Sequence, residues 1–173
     1  MMGEINIDSL QFTAPEKSYF LDNINITATR QDKENQLKLT SSFLKASIEG
    51  NYLYHTLPAS IMNIMRRYIP SLIQPDKKPI KTNNNFSFDI HIFNTELLST
   101  VFDIPLKIYS HSTVKGYFND QAQRLRVEGY FPRLQYQNTF IESGLVLCEN
   151  PTDQFKAKVR FNNLKKESAV SIS

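Results

Sequence analysis

Apolar and polar residues alternate over most of this chain, at the period of two that puts successive side chains on opposite faces of a β-strand. Ile5, Ile7, Leu10 and Phe12 predict a first strand whose parity shifts near Ser9, as a bulge would produce, and Pro15 closes it. Leu21–Ala28 alternates again, with Ile24 and Ile26 opposed to Asn23, Asn25 and Thr27. The polar stretch RQDKEN at 30–35 reads as a hairpin turn, and Leu37, Leu39 and Phe43 follow at even spacing. Ala46, Ile48, Gly50, Tyr52 and Tyr54 then share a parity.

The period changes at Leu57. Ile61, Met65, Tyr68 and Leu72 recur at helical spacing and predict an amphipathic helix over 57–73, with Thr56 as its cap, Pro58 in its first turn and Pro70 as a kink or stop. The proline- and asparagine-rich stretch 75–85 is a loop and the best internal boundary. It divides a first part, 1–74, of β-hairpins and helix from a second, 86–173, that reads as an antiparallel meander. Phe86, Phe88, Ile90 and Ile92 open the second part, and residues near 95–103 predict a short second helix that ends before Pro105. Ile104, Leu106 and Ile108 begin another strand.

Two pieces then nearly copy each other, VKGYF at 114–118 and VEGYF at 127–131, with NDQAQ between them as a hairpin link. Register permitting, Lys115 and Glu128 meet across it. A second turn at 136–138 leads to FIESGLVLCE, where Ile141, Leu145 and Leu147 share a parity, interrupted by Ser143. Phe155, Ala157, Val159 and Phe161 face one way and Lys156, Lys158 and Arg160 the other. NLKKES reads as a further turn, and the chain stops at AVSIS, inside strand-like pattern. Ends of that kind point to an internal segment of a longer β structure; an independent domain whose terminal strands pair is the alternative. The expected fold is mostly β, a curved antiparallel sheet or open β-groove with one amphipathic helix and a short second one.

Composition changes little in this picture. A net charge of +3 with lysines and arginines scattered rather than clustered lends no support to nucleic-acid binding. The single Cys148 excludes an internal disulfide and a cysteine-rich metal set. No signal peptide is recognisable, and no apolar run approaches the roughly 20 residues that span a bilayer. None of the phosphate-loop, dinucleotide, zinc-protease or nucleophile-elbow motifs occurs. His55, His91 and His111 are far apart in sequence; Asp89 and His91 share a strand face but lack a third metal ligand, and His111 between two serines has no placed acid. Cys148 has no identifiable base and reads as a small, partly buried side chain. The expectation is a non-catalytic chain with no metal and no cofactor.

Function then lies in a surface. A sheet with one apolar face buries it against a helix, another sheet or a ligand, and a curved, incompletely covered face leaves a trough that receives acyl chains. The helix 57–73 either plugs such a trough, lies on a membrane surface with its RRY segment at anionic headgroups, or simply closes one side of the core.

FNTELLSTVFDIPLKIYSHSTVKGYFND at 93–120, followed by LRVEGYFPRLQYQNTFIESGLVLCENPTDQF at 125–155, resembles the Bacteroidetes branch of the TamB translocation and assembly proteins, related to the AsmA-like group. The similarity is firmest over 93–161. It implies a piece of a periplasmic protein anchored in the inner membrane elsewhere in its chain, extended as a curved sheet with an apolar groove, and serving outer-membrane assembly or phospholipid transport. Implied partners are phospholipid acyl chains and, through other parts of the full-length protein, an outer-membrane barrel assembly protein. The helix and the proline-rich loop depart from an unbroken groove. No catalytic residue carries over. Parity alone assigns the candidate groove lining: Val114, Phe118, Leu125, Val127, Phe131, Phe155, Val159 and Phe161, with Tyr117 and Tyr130 taking that face if the side is reversed. Two other readings remain: a self-contained β domain that binds a protein through an edge strand, and a small closed barrel of lipocalin type, in which the first and last strands meet.

Overall fold

The structure is a computed structural model that describes residues 2–14, 17–32, 34–68, 81–93, 106–109, 111–151 and 154–166. Alternation dominates the result. Eleven strands form one antiparallel sheet, curved and open. They are β1 (Met2–Ala14), β2 (Lys17–Gln31), β3 (Glu34–Thr40), β4 (Leu44–Asn51), β5 (Asn85–Ile92), β6 (Leu106–Ile108), β7 (Ser112–Asn119), β8 (Arg124–Tyr136), β9 (Thr139–Glu149), β10 (Lys156–Arg160) and β11 (Asn163–Lys166). Nine follow one another across the sheet in the order β1-β2-β3-β4-β5-β7-β8-β9-β10, while β6 pairs the far half of β8 and β11 the far half of β9. Because β1 and β10 lie at opposite edges, the closed-barrel reading is excluded. β4 pairs β5 along its whole length, so the parts of the chain before and after the expected boundary at 75–85 share one sheet.

A single α-helix, α1 (Leu57–Tyr68), is described, preceded by a 3-10 turn at Tyr54–Thr56. The helix expected near 95–103, residues 69–73 of the expected 57–73 helix and the AVSIS segment lie outside the described residues. Two expectations need correction. Strand pattern does not run on to Tyr54: β4 ends at Asn51, and the chain turns so that Tyr52 folds into the core. The described part of NLKKES, Asn163–Lys166, is not a turn but a strand paired with β9 residues Thr139–Glu142.

The VxGYF repeat finds its reason in the register. β7 and β8 are antiparallel, so V-x-G meets V-x-G reversed: Val114 pairs Gly129 and Gly116 pairs Val127. Each glycine is roofed by an aromatic ring. A Cβ on Gly116 would lie 2.8 Å from Phe88 Cζ and 2.0 Å from the Arg126 carbonyl oxygen; one on Gly129 would lie 2.7 Å from Phe131 Cε2. The small residues make room for the rings.

The long hairpins share a second device. Asn23 in β2 and Ser143 in β9 adopt φ of 56° and 53°, in the left-handed region where non-glycine residues are uncommon. Pairing lapses there: Asp8–Asn23 is skipped in one hairpin and Pro132–Ser143 in the other. Across each lapse the apolar pairs change parity, from Ile5–Ile26 and Ile7–Ile24 to Leu10–Leu21, and from Gly129–Val146 to Leu134–Ile141. In β9 the kink keeps both halves on one face, because a Cβ on Gly144 would lie 3.7 Å from both Ile141 Cγ2 and Phe131 Cβ. The two hairpins are also alike in sequence: Leu10-Gln11-Phe12 opposite Phe20-Leu21-Asp22-Asn23, and Leu134-Gln135-Tyr136 opposite Phe140-Ile141-Glu142-Ser143.

Candidate functional site: one apolar sheet face

Direct cross-strand partners lie on the same face, so the pairing registers lay out both surfaces of the sheet. One row runs Ile5–Ile26–Leu39–Ala46–Ile90–Val114–Gly129–Val146–Val159 across nine strands. Its neighbour runs Gly3–Ala28–Leu37–Ile48–Phe88–Gly116–Val127–Cys148–Ala157. Neither contains a polar side chain. On the reverse face the corresponding row is Glu4–Thr27–Lys38–Ser47–Asp89–Lys115–Glu128–Leu147–Lys158.

The face is closed at one end and half-open along its length. Tyr52, Phe86 and Phe118 form a buried core with Ile48, Leu57, Phe88 and Leu125 against it. Phe86 and Phe118, direct partners, stack with ring centroids 5.2 Å apart; Tyr52 meets Phe86 edge-on at 5.9 Å. Burial, and then the neighbouring Tyr54, push the Tyr52 hydroxyl well above the ordinary tyrosine range. Of the expected lining, Phe118 is 1% exposed and Leu125 packs beside it, so both belong to this closed core. Val114, Val127 and Phe131 are half-buried on the apolar face, and Phe155 is half-buried beyond the start of β10. Val159 and Phe161 lie open at the edge, 62% and 47% exposed. Tyr117 and Tyr130 point to the polar face, paired with Arg126 and Thr113.

A polar network that the pattern of residues did not announce anchors the helix to this end. Asp120 Oδ2 accepts from Ser60 Oγ at 2.8 Å and from the Asn84 backbone N–H at 3.2 Å. Asn84 Nδ2 donates to Ser60 Oγ and Thr56 Oγ1, and its Oδ1 accepts from the Leu53 N–H. Ser60, Asn84 and Asp120 are all buried. Asn150, equally buried, accepts from the Leu125 N–H and donates to the Gln123 carbonyl. The one available signal was an Asn run in a stretch that otherwise reads as a loop.

Chemistry on the remaining surface is sparse. His91 Nε2 lies 3.2 Å from Asp89 Oδ1, both half exposed, and no cluster of three potential metal ligands occurs among the described residues. His111 occupies a left-handed turn position, φ 66°. Cys148 sits in the apolar row between Val127 and Ala157, and burial raises its thiol pKa. On the polar face Arg126 bonds Glu128 and Glu149, and Lys115 stands 3.7 Å from Glu128. The Arg126 hydrogen bond holds the Glu128 carboxyl below its ordinary range. Among the described residues no helix is long and apolar enough to cross a membrane.

These features define a class, an open antiparallel sheet with one apolar and one polar face. No protein-family model, curated protein or solved structure matches the chain.

Proposed function

We propose that the chain is a non-catalytic scaffold segment whose apolar β-face receives lipid acyl chains. In this reading it works in the periplasm, within an inner-membrane-anchored protein of TamB-like type, in outer-membrane assembly or phospholipid transport. One observation carries the reading: two adjoining rows of apolar side chains cross nine strands without a polar interruption and remain half-exposed over much of their length. Acyl chains fit such a surface because they match its lack of hydrogen-bonding demand. The process and compartment rest on the sequence resemblance.

A photoreactive amino acid at Val114 or Val127 is expected to capture lipid, whereas one at Lys115 or Arg126 is not. Val127→Asp should reduce capture several-fold by placing an unpaired charge among apolar groups. Equal labelling of both faces overturns the reading. So does an absence of labelling in a folded chain. A second reading has its own observation: among the described residues β1, thirteen residues long, has a partner strand on one side only, β2, which suits strand addition by a protein ligand.

A further inference from the structure

Over residues 145–148 the polar face gives way to aliphatic side chains. β9 is apolar on both sides: Val146 and Cys148 face the apolar rows, while Leu145 and Leu147 face the other way. Leu145 pairs Tyr130 and Arg160; Leu147 pairs Glu128 and Lys158. The rest of the Leu147 row is polar, from Glu4 through Lys38 and Asp89 to Lys115. A concavity of about 440 Å³ lies over these leucines, with Tyr130, Lys115, Lys158 and Arg160 around it. The lysine and arginine stems do not cover the floor, since Leu145 is 50% and Tyr130 42% exposed.

The charges around the concavity are unequal. Its one carboxylate, Glu128, is engaged by Arg126 and Lys115. Lys158 and Arg160 have no ion-pair partner among the described residues, and both project from β10 on the same side. Two residues apart on one strand, they stand roughly 7 Å from each other at the edge of an apolar floor.

We propose that this concavity is a binding site for a single-chain amphiphile, the alkyl tail lying on Leu145, Leu147 and Tyr130 and the anionic head held by Lys158 and Arg160. The volume falls in the lower half of the roughly 300–1,000 Å³ range of small-molecule sites, which suits one chain rather than two. Lys158 and Arg160, exposed beside the apolar floor, complement an anionic head such as a carboxylate or phosphate. The site is on the opposite face from the proposed acyl surface and stands or falls independently of it.

The test titrates the full chain with monomeric dodecanoate, dodecyl phosphate, dodecanol and inorganic phosphate, following backbone amide shifts. Both anionic amphiphiles should shift the amides of 145–147 and 158–160. Dodecanol should bind about tenfold more weakly or worse, and inorganic phosphate should shift nothing at matched concentration. The double variant Lys158→Glu, Arg160→Glu should weaken dodecanoate binding about tenfold or more with unchanged circular dichroism, and so should Leu145→Asn. Lys45→Glu, elsewhere on the same face, should leave it unchanged. Dodecanol binding as well as dodecanoate overturns the proposal, as does wild-type affinity in the folded double variant, or shifts confined to the Val114–Val127 face. Capture on phosphatidylglycerol vesicles without binding of monomeric dodecanoate also overturns it, in favour of a membrane-surface contact. If instead the shifts map here while photocrosslinking at Val114 and Val127 fails, this site stands and the acyl-surface reading does not.

Discussion

Gly116 and Gly3 carry the same side chain, hydrogen, under opposite constraints. The Cβ of an alanine at 116 would meet the Arg126 carbonyl oxygen at 2.0 Å, whereas one at 3 meets nothing within 4 Å. Backbone cannot swing aside as a side chain can, so Gly116→Ala should lower stability by roughly 1–3 kcal/mol. Gly3→Ala should stay within about 0.5 kcal/mol, and paired urea denaturation curves check both. Tyr52 sets a pH limit at the same scale. Its hydroxyl pKa is raised in the folded chain, mainly by burial. The stability this represents is therefore complete below the ordinary tyrosine value of about 10 and is lost as pH rises through the higher folded value. An alkaline absorbance titration should show Tyr52 ionising only together with unfolding. Tyr52→Phe should make stability less sensitive to pH above that ordinary value, while losing the 3.2 Å bond from the hydroxyl to the Ile48 carbonyl.

At the scale of elements, α1 depends on buried polar groups for its attachment. Asp120→Ala removes the acceptor for both Ser60 Oγ and the Asn84 N–H, groups with little access to water. Leaving buried donors unpaired costs about 1–3 kcal/mol. We expect that loss in thermal unfolding, and amide exchange over 54–68 to quicken more than exchange in β8 and β9. The kinked hairpins belong to this scale too. The left-handed residue at 143 lets β9 change partners while Ile141 and Gly144 stay on one face. β8 and β9 use that break to pair β7 and β10 on one side of it and β6 and β11 on the other.

At the scale of the whole molecule, the open sheet of the described residues has two edges, β1 and β10. A free edge is a template for unintended pairing, and charged side chains are a common defence. β10 carries Lys156, Lys158 and Arg160, all exposed. Replacing all three by threonine retains strand propensity and removes the charge. The triple variant should associate in a concentration-dependent manner by light scattering where the parent chain does not; scattering equal to the parent's means that the cations do not guard this edge.

Alternation along the chain determines a good deal of this fold by itself. It marks the strands other than β11, the turns at 119–123 and 136–138, the break near Ser9 and the apolar side of β7, β8 and β10, because a period of two is a local property of the backbone. The Lys115–Glu128 pairing was legible for the same reason, once a short link implied a hairpin. Other features depended on what lies across the sheet. Phe118 and Val159 have the same parity and the same apolar character, yet one is sealed under Tyr52 and Phe86 and the other open at an edge. NLKK has turn-like composition but becomes a strand because β9 extends past β10 and offers it a partner. Leu145 and Leu147 interrupt a polar surface only once their neighbours on β8 and β10 are known. Parity along one strand says which residues share a face; register between strands, set by contacts distant in sequence, decides which are covered, which are open and which stand together as a site.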